Sequence, residues 1–358
     1  GNRMDENFRK EFREVRNQAL LAVNTYYFSH MEQLTDCYRK SLQKACDQVG
    51  RMQAGGYQDV EFMEITMLRT RLIEHDYHVP IMVYGTEWYG DLEQTQAGEI
   101  DAHEIFSFYE DMVQKTASLA KKYRSKLPER ILEVCMCSTA DSFWNYVDMA
   151  CKRAVMGFTP KGMSITDQFR VRICEYMGYG AVCRRHLPFM EREQMKKWFE
   201  KEEEEVYRFR DYRGSDFAGW DFSRLDLTGC DFRNCNLKGC NFAQADLTGA
   251  WFCESNLKEA CFREAWVVGT RFDRADLEGA VFEGTYSSCR FNDDLWRRPD
   301  NEWASLSGCR LKNADFRFSA MECADFTEAD LEGAVFHEEH KNYYQLDEKQ
   351  KKQAQFDS

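Results

Sequence analysis

The chain has 358 residues, 43% of them hydrophobic and 14% aromatic, enough for a core in each of two ordinary domains and too apolar for a disordered polymer. Its 61 Asp and Glu against 48 Lys and Arg leave a net charge of -13, which excludes a general phosphate-backbone binder, since that needs a basic face. No signal peptide and no apolar run of about 18 residues appears, so a cytoplasmic location without membrane spanning is expected, with the 15 Cys reduced and acting as small apolar residues.

Residues 1–209 carry no repeat and are expected to form a mainly α-helical domain. Gly1 in place of an initiator Met implies a trimmed or tagged start, which leaves the native N-terminus open. Phe8, Phe12, Val15, Ala19, Val23, Tyr26, Leu34, Tyr38, Leu42, Ala45 and Val49 recur mostly at three- and four-residue steps, which predicts one long helix or two consecutive helices ending at Gly50. Val60 to Tyr84 is rich in β-branched and aromatic residues with local alternation, the pattern of a small β-hairpin. TEWYGDLEQTQAGEI then reads as a polar loop. Helices are expected over about 101–124, 128–156, 165–184 and 188–209, with Pro128 at a helix start and Ser164 or Thr166 capping the third. This half resembles no known family.

From about Ser215 the chain repeats every five residues. The central apolar residues run Phe217, Phe222, Leu227, Phe232 and onward to Phe282, then Leu306, Leu311, Phe316, Met321, Phe326, Leu331 and Phe336. Two residues before the 21 centres, 19 positions hold a small residue, so a narrow interior is implied. A five-residue period fits neither a helix nor a simple strand. It suits a chain that turns a corner every five residues.

Stretches such as CNLKG, ADLTG, SNLKE and ADLEG match the consensus A(D/N)LXX, and residues 210–340 closely resemble the pentapeptide-repeat family. The resemblance implies a right-handed quadrilateral β-helix with four repeats per coil, giving an α plus β-solenoid fold class. Residues 20 apart should then stack, and they are alike: Phe222, Phe242, Phe262 and Phe282 form one column, and Leu237, Leu257 and Leu277 another. Gly229, Gly239, Gly249 and other glycines two residues after the Leu centres suit left-handed turn positions. The register slips after Phe282, and a loop insertion is expected near 292–303, with Phe291 still a core centre. In-phase resumption gives about six coils. Trp220 and Leu225 replace small residues in the first coil and fill its base, while 341–358 read as a C-terminal cap or tail with Tyr343, Tyr344 and Leu346 facing inward.

Candidate chemistry is sparse, and no catalytic, cofactor-binding or metal site is expected. The His75/His78 and His337/His340 pairs have metal-ligand spacing but no third ligand, so structural or surface roles are expected. No CxxC pair, phosphate loop or nucleophile elbow occurs. Cys230, Cys235, Cys240, Cys289 and Cys309 fall at the small inward position and read as core filler.

Trp251, Trp266 and Val281 replace polar residues at the outward corner, and Trp296 and Trp303 lie in the break. With Arg271, Arg297 and Arg298 these tryptophans form the candidate interaction surface, in which Trp251 and Arg271 make a cation–π pair. The opposing reading packs them beneath the break loop or the N-terminal domain. The expected function is a non-catalytic protein-interaction scaffold with a protein partner, a homodimer being one such arrangement, and with no direct nucleic-acid or membrane binding. Two alternatives stand beside it. Residues 210–340 hold 25 acidic and 15 basic residues, and some acidic members of the family bind DNA gyrase as DNA mimics, although many of these acids sit at corner positions and belong to the fold. An enzyme with an unrecognised site in residues 1–209 is the other.

Overall fold

The computed structural model describes residues 2–123, 129–175, 180–188, 190–200, 207–287, 304–321 and 323–358. The chain divides into two compact units, residues 1–183 and residues 184–291 with 301–358.

The first unit contains helix α1 (Asn2–Ala54), strand β1 (Val60–Met67), the short helix α2 (Arg69–Ile73), strands β2 (His78–Tyr84) and β3 (Thr95–Asp101), helices α3 (His103–Lys122) and α4 (Glu129–Met156), and strand β4 (Ile165–Glu175). With β5 (Gly180–Arg185) the strands form one mixed sheet in the order β3-β2-β1-β4-β5. Ile65 of β1 pairs with Ile81 in the antiparallel neighbour and with Ile173 in the parallel one. Side chains alternate across a strand, so Met63, Ile65, Ile81, Val83, Val171 and Ile173 share one face. They are buried in one cluster with Val23 and Leu42 of α1, Phe106 of α3 and Val147 of α4. Helix contacts are pinned by polar links, such as Tyr26 OH donating to Glu104 Oε2 at 2.8 Å.

Three sequence expectations are corrected here. The helix expected over 165–184 is instead β4 and β5. Phe169, Val171 and Ile173 alternate with Arg170 and Arg172, a two-residue period, and β4 pairs with β1 inside the sheet. The hairpin expected over 60–84 is present, β1 pairing antiparallel with β2 inside this sheet, but the expected polar loop runs into edge strand β3, where Ala97 and Ile100 are buried. Within 188–209, the helix among the described residues is α5 (Arg192–Phe199). Tyr207 and Tyr212 are instead core residues of the solenoid.

The second unit is a β-helix. Its rungs are single parallel bridges between residues one coil apart, as in Asp231↔Trp251 and Trp251↔Arg271. The residue just before each apolar centre makes the bridge and faces outward, while the centre and the small residue point inward. Most centres accept a turn bond from the residue three positions on, as Leu227 O does from Cys230 N at 3.1 Å. The third residue of the turn has positive φ, glycine at Gly249 (φ 66°) but Glu at Glu254 (φ 60°) and Glu264 (φ 57°). The Phe rings stack along the axis, with Phe242 and Phe262 5.2 Å apart and 4° from coplanar.

Asp and Asn before the centres close the corners. Asp221 Oδ1 accepts from Ser223 N at 2.9 Å and Asp325 Oδ1 from Thr327 N at 2.9 Å. The expected return of Leu306 to a Phe column is observed, since Ser305 bridges Arg271 and Phe272 N donates to Ser305 O at 2.7 Å. At the start of the coil stack, Trp220 and Leu225 pack on the core, with Phe199 of α5 6.0 Å from the Trp220 ring. Beyond Phe336, β6 (Val335–His337) pairs in parallel with β7 (Gln355–Asp357), and α6 (Glu348–Gln353) lies between them in sequence. Tyr344 and Leu346 are buried there as expected, but Tyr343 is 43% exposed. One core-facing position in this short segment is already taken by Tyr344, whose hydroxyl lies 2.6 Å from Ser319 Oγ.

Candidate interaction surface

Adjacent faces of the solenoid treat their tryptophans in opposite ways. One outward column runs Asp211, Asp231, Trp251, Arg271 and Ser305. Arg233 holds Asp231 at 2.8 Å and Arg271 holds Asp273 at 2.8 Å, while Arg184 reaches Asp231 at 3.4 Å. Burial alone would raise the Asp211 carboxyl, but Arg213 and Arg184 outweigh it and hold the group below the usual carboxylate range. Trp251 lies between two guanidiniums, Arg233 at 5.0 Å and Arg271 at 5.3 Å from its ring centre. Trp251 and Arg271 are thus components of a packed ion-pair ladder.

The next column runs Asp226, Asp246, Trp266, Tyr286 and Ala320. Here Trp266 is 53% exposed and Tyr286 37% exposed, with ring centres 4.9 Å apart at 61°. Phe318, two residues before Ala320, is 68% exposed and occupies the left-handed turn position at φ 60°. Two carboxylates flank this strip. Asp246 uses Oδ1 to accept from Thr248 N at 3.0 Å, and Glu264 accepts from Gln244 Nε2 at 2.7 Å. Among the described residues no cation pairs with either. Of the residues expected to form an interaction surface, Trp251 and Arg271 therefore share one face and Trp266 stands on the next. Trp296, Arg297, Arg298 and Trp303 lie outside the described residues. Tyr286 was legible by counting 20 residues on from Trp266, whereas Phe318 sits where the repeat pattern places glycine.

The first unit holds a polar cluster that sequence reading missed. Glu64, 1% exposed, projects from β1 on the sheet face opposite Ile65. Its Oε1 lies 2.6 Å from the Arg172 guanidinium and accepts from Trp88 Nε1 at 2.9 Å, and its Oε2 accepts from Tyr89 OH at 2.9 Å. Trp88 adopts a left-handed φ of 50° and is clamped between the Phe62 ring, 4.6 Å away, and Arg172 at 4.6 Å. Cys174 donates to Glu64 Oε2 at 3.6 Å, and burial beside that carboxylate pushes its thiol up to about 12. Every oxygen of Glu64 is occupied, so the arrangement pins a loop to a strand.

The members of the first histidine pair are engaged with separate carboxylates, while the His337 and His340 rings meet edge-on with centres 5.9 Å apart. His75 Nδ1 lies 2.5 Å from Glu110, which Tyr77 also bonds, and His78 Nδ1 lies 2.7 Å from Asp76. His337 Nδ1 accepts from Glu339 N at 3.3 Å. Among the described residues, no group of three or more His, Cys, Asp or Glu is placed to hold a metal ion.

The core thiols have a shared role. Cys230, Cys235, Cys240 and Cys309 each donate to the carbonyl of a core residue in the preceding coil, as Cys240 does to Phe217 O at 2.9 Å. Ser255 and Thr270 make the same bond with hydroxyls. Burial pushes the Cys235 and Cys240 thiols up to about 12. Cys289 lies outside the described residues, and Cys323 departs from the reduced expectation by being disulfide-bonded.

A corner with a left-handed turn residue every five residues, Asx-closed turns and a stacked Phe core define a solenoid of pentapeptide repeats. Residues 211–286 and 302–337 match the profile of the family described as pentapeptide repeats, in 8 copies, and this region belongs to that family and is a right-handed β-helix. No family profile matches the N-terminal half. No curated protein is significantly similar to the chain. Among solved structures, full-length QnrB1, a plasmid-mediated fluoroquinolone resistance protein, is 24% identical over 43% of this chain and 75% of its own, with a TM-score of 0.29. A pentapeptide repeat protein of the Arabidopsis thaliana thylakoid lumen is 27% identical over 38% of this chain and 72% of its own, with a TM-score of 0.15. Another from the cyanobacterium Cyanothece 51142 is 18% identical over 41% and 91%, with a TM-score of 0.19.

Proposed function

We propose that the chain is a non-catalytic protein-binding scaffold, whose β-helix of about six coils, closed at its end by residues 341–358, presents a docking strip. The observation that carries this reading is the half-exposed Trp266 beside Tyr286, in a column whose lower positions are Asp226 and Asp246. A large aromatic left open on a rigid face favours a macromolecular contact, because its apolar area is already ordered before binding. The acid-rich surface supports DNA mimicry less well. Many of its corner carboxylates accept backbone bonds, and others are bound by arginines within the chain.

The test is affinity capture from the native cell with mass spectrometry, comparing the intact chain with Trp266→Ala and with Asp216→Asn. A partner retained by Asp216→Asn and lost by Trp266→Ala supports the scaffold. Capture unaffected by Trp266→Ala counts against it.

A further inference from the structure

Two outward tryptophans occupy the same position in the repeat, and the chain itself shows what one of them binds. Trp251 has a guanidinium on each side, Arg233 at 5.0 Å and Arg271 at 5.3 Å. Trp266 has Asp246 in the coil below and Tyr286 in the coil above, and no cation lies over its ring among the described residues. Trp266, 53% exposed beside the Tyr286 ring, thus lacks the cation that its counterpart has on each side. The surroundings carry the matching charge. Asp246 Oδ1 is taken by Thr248 N and Oγ1, at 3.0 and 2.6 Å, while Oδ2 has no partner among the described residues. Glu264 spends Oε2 on Gln244 Nε2, an uncharged donor.

From this internal comparison, and resting on the scaffold reading above, we infer that the Trp266–Tyr286–Phe318 strip receives an arginine-bearing cationic segment of a protein partner. A guanidinium stacks flat on an indole face and donates in its own plane to a neighbouring carboxylate, a geometry that an ammonium does not share. Trp266 supplies the face and Asp246 and Glu264 the acceptors. Phe318, 68% exposed, sits one coil above Gly284, two residues before the Ala320 that stacks on Tyr286, and offers further apolar surface beside the column for an aliphatic stem or a second side chain. The net excess of acids, 25 against 15 basic residues over 210–340, steers a cationic segment toward the rod but does not by itself choose arginine over lysine.

The experiment is fluorescence anisotropy of labelled deca-arginine and deca-lysine peptides on the full chain at near-physiological salt. Deca-arginine is expected to bind about tenfold more tightly than deca-lysine, since a stacked guanidinium adds to charge attraction that both share. Trp266→Ala and Asp246→Asn should each remove that preference, with Asp216→Asn as the neutral control and circular dichroism verifying the fold. Equal binding of the two peptides, or a preference that survives Trp266→Ala, overturns the inference. So does a dimer in sedimentation that Trp266→Ala converts to monomer, because a second copy would then occupy the strip. If Trp266-dependent capture of a cellular partner persists while arginine peptides show no preference, the inference fails and the scaffold stands. Loss of both removes both.

Discussion

Glu64 on β1 and Arg172 on β4 lie side by side across the parallel strand pair, 2.6 Å apart, with 1% and 11% of their side chains exposed. Two charges withdrawn from water are tolerated only while each satisfies the other. Trp88 and Tyr89 complete the set by donating to the same carboxylate.

Arg172→Met should therefore destabilise the first unit by about 3 kcal/mol, the typical cost of stranding one member of a buried pair. Urea unfolding followed by intrinsic fluorescence reads the loss. The joint variant Glu64→Leu with Arg172→Met should be more stable than Arg172→Met alone. A joint variant that is worse would show that the pair itself is a net source of stability.

The solenoid thiols should be silent toward thiol reagents in the native state. Cys230, Cys235, Cys240 and Cys309 are buried, and desolvation raises the Cys240 thiol to about 12, so almost no thiolate exists near pH 8. Cys37 and Cys137 are exposed and should label first. Mass spectrometry after brief alkylation distinguishes the two groups. Fast labelling of Cys240 in folded protein would contradict its place in the core.

At Gly249 a side chain would meet nothing within 4 Å, yet φ is 66°. The cost of Gly249→Ala is then conformational alone, about 1–2 kcal/mol for an L-residue in the left-handed region. Gly249→Asn should cost clearly less, because Asn tolerates that region. Equal melting temperatures for the two variants would show that the turn changes type.

Asp211, Asp221 and Asp315 all titrate below the usual Asp range in the folded protein. For Asp221 the leading cause is its bond from the Ser223 side chain, followed by the Ser223 backbone bond. Such groups add stability above the unfolded value of about 3.9, and the gain disappears as pH falls through the lower folded values. Stability should therefore be flat from pH 7 to about 5 with respect to these groups and fall steeply below about pH 4. Changing Asp221 to Asn should flatten the lower limb, as read by thermal melts across that range.

Charge mimicry makes a separate prediction. A DNA-like rod must inhibit gyrase supercoiling, whereas acids engaged at corners and by arginines should leave supercoiling unchanged at micromolar protein. Inhibition that is relieved by neutralising Asp226 and Asp246 would favour the mimic over the scaffold.

The repeat half was readable because its information is local. Five residues contain a centre, a small spacer and a turn, and the 20-residue columns follow by counting. The first unit gave its helices α1, α3 and α4 for the same reason, through the three- and four-residue spacing of Val23, Phe106 and Phe143. Its sheet was harder to read. Nothing near Ile65 says that Ile173 will lie beside it, and the alternation of Phe169, Val171 and Ile173 with Arg170 and Arg172 spans only five residues of β4, too short a run to stand out against a helix. The Glu64 cluster was hidden behind that same ignorance of strand order. The Trp266–Tyr286 strip was half legible: Trp266 stood out as an outward aromatic, but its separation from Trp251 needed the assignment of faces.

From Arg271 to Ser305 the ladder takes a step of 34 residues, where Trp251 to Arg271 takes 20. Phe282 and Phe316 nevertheless stack at 4.7 Å and 3°, as closely as neighbours in uninterrupted coils. The coils thus recognise each other by what they touch, not by the contour of chain between them. A stack held by contacts between coils sets its own spacing, so the length of chain spent between two coils is free to differ while the coils on either side keep their pitch.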